Sequence, residues 1–351
     1  MTTRIRLLIL ALAVACPAAA IAQSTVQVYG SIDAGLRYQT NVDAAGGGML
    51  TMGTGNYYSN RLGFRGVEQL GNGLNAHFQL ESGFKSNTGE LDNTNNVLFN
   101  RTAAVGLGGA WGSVDLGRQY TIGFRTEKFL DPFDHNYTGL VPLSSGAGTT
   151  LPAAAKTAGL SASSSSGTRF NNDVQYAGSF GGLTLRAEYA AGEVAGDVDR
   201  GAAKAVGFSY AGGPLLAAGA YTYKQTAAGF ANHAFVAGGG VKFHGITAKA
   251  SMSRERQDSA TAGIYQNTTR FGGVSYDLGA FNVTGAIYRS TYGSAAGGGT
   301  RDLRMLGTSY ALSKRSNLYA ELDLNRYGGA LVPASKQTRQ RGMSVGLNHL
   351  F

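Results

Sequence analysis

From Val26 to Tyr38 the chain alternates strictly. Val26, Val28, Ile32, Ala34, Leu36 and Tyr38 share one face, while Gln27, Ser31, Asp33 and Arg37 share the other. A period of two marks a β-strand. Its length of about a dozen residues exceeds the five or six usual in globular strands. It suits a strand that crosses a bilayer at a tilt, which needs roughly 9–11 residues. The same alternation recurs at 74–84, 183–190, 281–292, 318–326 and 342–351, and read along the whole chain the pattern predicts about sixteen strands.

The connections alternate as well. Short turns fall at 69–73, 108–110, 181–182, 212–214 and 313–316. Longer polar stretches lie near 40–58, 86–97, 121–167, 193–202, 258–267, 293–301 and 327–339. Tight turns at one rim and long loops at the other are what an up-and-down transmembrane β-barrel produces. The expected fold is therefore all-β: an antiparallel barrel of about sixteen strands, too wide for side chains to fill, enclosing a water-filled channel.

Composition sharpens this. The 351 residues include 53 Gly, 18 Tyr and 16 Phe but only 15% charged residues and one Cys. Scarce Pro and the lack of a Gly-X-Y period exclude collagen, and one cysteine excludes a disulfide scaffold. Half of each strand facing lipid and half facing water brings mean hydropathy close to zero, at -0.10. Tyr29, Tyr38, Tyr189, Tyr210, Tyr221, Tyr223, Tyr276, Tyr288 and Tyr310 fit the aromatic girdles of such a barrel.

At the N-terminus, Arg4 and Arg6 precede an apolar run from Leu7 to Ala15, then Pro17 and the small-x-small pattern Ala20-Ile21-Ala22. This is the layout of a cleaved signal peptide over residues 1–22, leaving 23–351 as one barrel domain. Its removal takes Arg4, Arg6 and Cys16, so the formal charge falls from +9 to +7. After residue 22 no apolar run is long enough for a transmembrane helix.

Several motifs in order resemble the Gram-negative general porins, especially the trimeric sixteen-stranded porins of β-proteobacteria. They are the opening strand Val26–Tyr38, Arg61-Leu62-Gly63-Phe64-Arg65-Gly66-Val67-Glu68-Gln69-Leu70-Gly71-Asn72-Gly73-Leu74, and Phe78-Gln79-Leu80-Glu81-Ser82-Gly83-Phe84. Phe99-Asn100-Arg101 with Val105-Gly106-Leu107, and Trp111-Gly112-Ser113-Val114-Asp115-Leu116-Gly117-Arg118-Gln119-Tyr120, complete the block. The C-terminal strand ends on Phe351, similar to the signal by which the barrel-assembly machinery recognises its clients.

The resemblance implies passive diffusion of small hydrophilic solutes and ions across the outer membrane by a homotrimer embedded in lipid. It also implies a long third outer loop folded into the lumen, here from Thr121 to about Gly167, carrying Glu127, Asp131 and Asp134. Facing it, the family places wall arginines, which by motif are Arg61, Arg101 and Arg169. Alternation independently puts Arg37 and Arg61 inside and leaves Arg101 ambiguous, since Ala103 and Val105 share its parity; Arg118 is a further candidate. Arginines on the wall against acids on the loop, in a basic chain, predict a mild anion preference. A substrate-specific porin and a surface barrel acting as adhesin or antigen are the alternatives. No cofactor, metal site, enzyme or nucleic-acid partner is expected: His77, His135, His233, His244 and His349 are scattered without ligand spacing, and no basic–aromatic motif accompanies the positive charge.

Overall fold

A computed structural model describes residues 25–93, 96–137, 168–259, 263–293 and 297–351. The expected signal peptide, residues 1–22, and the Ser-rich second half of the long connection lie outside these. Seventeen antiparallel strands form one sheet that closes on itself. The first six are β1 (Thr25–Gln39), β2 (Met49–Thr54), β3 (Arg61–Gly71), β4 (Leu74–Gly83), β5 (Thr102–Gly109) and β6 (Gly112–Tyr120). A helix, α1 (Ile122–Leu130), precedes β7 (Arg169–Phe180), β8 (Leu183–Ala190), β9 (Ala203–Gly212), β10 (Leu215–Gln225) and β11 (Ala231–Phe243). The circuit ends with β12 (Ile246–Ser259), β13 (Gly263–Leu278), β14 (Phe281–Tyr292), β15 (Gly299–Ala311), β16 (Ser316–Gly329) and β17 (Arg339–Leu350).

Closure is made by β1. One edge pairs with β17 from Ser31↔Leu350 to Gln39↔Gly342. The other edge is shared: β3 pairs with its first half and β2 with its second. β2 and β3 thus occupy one position in the wall, giving a barrel of sixteen strands with one extra segment. The predicted loop at 40–58 accordingly contains a strand. The chain end joins the closure, since the Gly30 and Phe351 backbones exchange hydrogen bonds of 3.0 and 3.1 Å. With the sixteen wall positions paired all the way round, backbone groups that lipid cannot satisfy have partners.

The two faces separate as the alternation predicts. Val26, Val28, Ile32, Leu36 and Tyr38 are exposed on the outside, while Ser31, Asp33 and Arg37 are buried inside. Two of the aromatics assigned to the girdles are interior: Tyr29 donates to Glu81 at 3.0 Å, and Tyr288 is 3% exposed.

The lumen is not empty. Thr121 caps α1 by accepting the Phe124 N–H at 3.1 Å, as N-cap hydroxyls do. The helix then lays Ile122 and Leu130 on a patch of inner wall made by Ala205, Ala218, Ala220, Val236, Phe271 and Leu303. Small wall residues make this possible. A Cβ on Gly207 would come within 2.5 Å of Ile122 Cγ2, so only glycine lets the helix approach. Burying these two aliphatic side chains contributes about 1.5–3 kcal/mol each.

Candidate functional site

With α1 packed against β8–β12, the open passage runs between the helix and the opposite wall. There a cavity of about 430 Å³ is lined from the wall by Tyr58, Ser59, Arg61, Arg101, Tyr120 and Arg186. The loop side contributes Phe124, Arg125, Lys128, Phe129, Asp134, His135 and Asn136. Five cationic side chains and one carboxylate therefore meet across it.

The wall arginines are held from behind. Glu81 is 2% exposed and takes Arg101 Nε at 2.9 Å on one oxygen and Arg61 Nη1 at 3.6 Å on the other. Asp92 lies 3.4 Å from Arg101 Nη1. Arg101 Nη2 donates to the Tyr120 hydroxyl at 2.7 Å. That ring also carries Arg169, whose guanidinium sits 4.3 Å from its centroid and donates to its hydroxyl at 2.8 Å. A guanidinium bonded to several partners at once, or stacked on a ring, is fixed in where its charge points.

An inward turn places Arg61. Between β2 and β3 the chain dips into the lumen, and the Asp33 carboxylate collects its backbone. Oδ1 accepts the N–H groups of Asn56 at 2.8 Å and Tyr57 at 3.4 Å, and Oδ2 accepts that of Tyr58 at 3.1 Å. The Tyr319 hydroxyl adds a bond at 3.0 Å. Tyr57 then stacks on Tyr319, with centroids 5.2 Å apart, and its carbonyl accepts the Tyr137 N–H at 3.0 Å. One buried carboxylate thus ties the wall turn and, through Tyr57, the loop.

The expected loop acids divide. Glu127 and Asp131 are both 1% exposed and turned to the wall. Glu127 accepts from Ser253 at 3.2 Å, and Asp131 accepts the Tyr288 hydroxyl at 2.6 Å and the His135 N–H at 2.7 Å. Burial pushes the Asp131 carboxyl up to about 6, opposed by those hydrogen bonds. Only Asp134 lines the passage, and Lys249 pairs with it at 2.9 Å. Burial first, then the Lys128 and Lys249 charges, pull His135 down to about 3, so its ring adds no cation near neutrality.

The expected wall arginines divide too. Arg61 and Arg101 reach the passage, while Arg169 backs it through Tyr120. Arg37 is interior but elsewhere, locked to Asp323 at 2.7 Å and Glu321 at 3.5 Å. Arg118 stands opposite Ala103, in line with the pair Val105↔Leu116, whose members are 57% and 49% exposed on the outer face. It bonds to the Asn100 carbonyl at 2.8 Å and to Asn171, and joins no part of the passage. The sequence pattern alone does not mark Arg125, Lys128 or Arg186. Arg186 is within reach of the alternation, because Leu185, Ala187 and Tyr189 take the outer face of β8. Arg125 and Lys128 need the helix, which brings positions three apart onto one side.

A closed, lipid-faced barrel with a charged inner passage defines a transmembrane channel. The Gram-negative porin family model matches residues 9–330, and the chain belongs to that family: it is a passive channel of the bacterial outer membrane. Outer membrane porin protein 32 of Delftia acidovorans is 29% identical over 98% of this chain and 99% of its own length. An outer membrane porin protein of Bordetella pertussis is 28% identical over 95% of this chain and 96% of its own length. The solved anion-selective porin from Comamonas acidovorans superposes with a TM-score of 0.78 at 25% identity, covering 94% of this chain and all of that one.

Proposed function

We propose that this porin prefers anions, through an electropositive constriction built by Arg61, Arg101, Arg125, Lys128 and Arg186. The observation that carries it is the charge count across the passage. Setting Glu81, Asp92 and Asp134 against these five cations and Lys249 leaves three positive charges over. Fixed charges of one sign in a narrow passage with low-dielectric walls concentrate the opposite ion. The preference is stronger than the mild one expected from sequence, because two of the three loop acids anchor the loop instead of facing the pore. The likeness to the anion-selective porin from Comamonas acidovorans supports this reading. Zero-current potentials across planar bilayers in a KCl gradient test it, and a cation preference overturns it.

A second reading has its own observation. Tyr58, Tyr120, Phe124 and Phe129 line the same passage as the cations, a surface suited to organic carboxylates with a flat apolar part. Saturable block of the current by an aromatic carboxylate, absent with acetate, distinguishes that specificity from simple charge selection.

We further infer that residues 1–22 are removed on export and that Phe351, bonded to Gly30, serves as the assembly signal. Homotrimers are proposed from the resemblance alone. Unheated against boiled gel mobility tests the assembly.

A further inference from the structure

The outer face of β12–β17 carries arginines toward the loop side of a lipid-facing wall. Arg254, Arg270, Arg289, Arg304, Arg326 and Arg341 all have outward parity; Arg254, Arg289, Arg326 and Arg341 lie toward the long-loop ends of their strands, and Arg270 and Arg304 lie near mid-strand. They are in register: Arg270 stands directly opposite Arg289, and Arg326 opposite Arg339. Asp302 lies in the same row, opposite both Arg289 and Arg326, and reaches Arg289 Nε at 3.6 Å. Among the described residues no carboxylate lies within ion-pair range of Arg270, Arg304, Arg326 or Arg341. Like charges set directly opposite each other destabilise a sheet unless something neutralises them.

The two rims of this face differ. At the short-turn rim the outward positions are aromatic: Tyr276, Phe281, Tyr310 and Phe351. Toward the loop rim of the same strands the arginines stand in their place. Arg270 and Tyr276 are six residues apart, as are Arg304 and Tyr310, while Arg289 and Phe281 are eight apart. At about 3.4 Å per residue and a tilt near 40°, that is roughly 16–21 Å along the membrane normal, against an apolar band about 25 Å tall. The arginine Cα atoms thus lie about 4–9 Å inside the upper edge of the hydrocarbon, and their long side chains snorkel towards the headgroup layer. Just below them runs a groove of about 1600 Å³ whose lining includes Ala250, Gly272 and Gly285 beside Met252, Val274 and Ile287. A Cβ on Gly285 would have only the Met305 carbonyl oxygen as a neighbour, at 4.0 Å. The barrel itself does not demand glycine there, and the missing side chain leaves the groove open.

We propose that this face is a binding site for a phosphate-bearing lipid of the outer leaflet, with acyl chain in the groove and phosphates on the arginine row. Long loops mark the outward side of such barrels, which places the row in that leaflet. Guanidinium groups match phosphate oxygens in pairs, and several in register bind a headgroup with more than one phosphate better than a zwitterionic one.

The test is native mass spectrometry of the detergent-purified barrel with bisphosphorylated lipid A, its dephosphorylated form and inorganic phosphate. The bisphosphorylated lipid is expected to bind at least tenfold more tightly than the dephosphorylated one, with phosphate at equal concentration failing to displace it. The triple variant R270Q/R304Q/R326Q and the groove-filling Gly285→Val should each weaken binding, the former at least tenfold, with single-channel conductance unchanged. Equal binding of both lipids, displacement by free phosphate, or undiminished binding by both variants overturns the proposal. So does a shift of oligomeric state in the triple variant, which would make the face a contact between copies of this chain. The comparison of lipids on the unmodified protein decides the matter even where a variant does not assemble.

Discussion

Neutralising the helix cations should change selectivity by an amount the structure sets. Arg125 is exposed and Lys128 half-buried on the side of α1 that faces the passage. A cavity of about 430 Å³ equals a sphere of about 5 Å radius, so a central ion lies roughly 6 Å from a lining charge. Coulomb's law then gives about 0.7 kcal/mol per unit charge in water, reduced to about 0.3 kcal/mol by a Debye length of about 8 Å at 0.15 M salt. Each removed charge lowers the anion population by about 1.7- to 3-fold and raises that of cations by the same factor, so the permeability ratio shifts about 3- to 10-fold. The double variant R125Q/K128Q should shift it about 10- to 100-fold. Reversal potentials in KCl gradients read this directly. Arg118→Gln removes the same charge from the outer face and is the control, expected to leave the ratio within twofold. A double variant that moves the ratio less than twofold, or an Arg118 effect as large as that of Lys128→Gln, refutes the placement of the field.

Three other outcomes follow from the ties around the passage. Arg37→Gln leaves Glu321 and Asp323 buried without their cation, so it should cost about 3–5 kcal/mol in urea unfolding while selectivity stays unchanged. Asp33→Ala releases three backbone N–H groups and Tyr319 at once; it should cost at least about 3 kcal/mol and raise open-channel noise, because the turn before Arg61 and the loop at Tyr137 are freed together. For pH, Asp131 has its folded value raised from 3.8 to about 6, so its support for the loop is full below about pH 4 and is lost as pH rises through about 6. Comparing the urea midpoints of wild type and Asp131→Asn from pH 4 to 7 isolates this. The wild type should lose stability relative to the variant across that window, and a constant difference would contradict the burial argument. His135, lowered from 6.5 to about 3, works in the other sense: its contribution is full above about 6.5 and fades as pH falls, so His135→Gln should flatten the acid side of the wild-type profile.

The barrel was legible because lipid and water enforce opposite choices on neighbouring residues; β1, β8 and β14 follow directly from that contrast. β2 was not, since Met49-Leu50-Thr51-Met52-Gly53-Thr54 carries apolar residues at both parities and pairs beside a turn held by a distant carboxylate. Parity failed where the backbone leaves regular pairing. Arg101 precedes β5 in a bend and turns inward, although Ala103 shares its parity. The register shift between Gly117 and Gln119 lets Tyr120 enter the passage while Arg118, two residues earlier, stays outside. The loop acids mislead for a different reason. A segment lying inside a wet lumen has only a limited apolar patch to hold it, Ile122, Leu130, Phe133 and Tyr137 here, and must use polar ties for the rest. Glu127 and Asp131 serve that need against Ser253 and Tyr288. Sequence presents an acid that lines a pore and an acid that moors a loop in the same way, and only the wall residue opposite separates them. The selectivity of such a channel therefore depends on which charges the fold consumes in holding the loop, and here it consumes more of the negative ones.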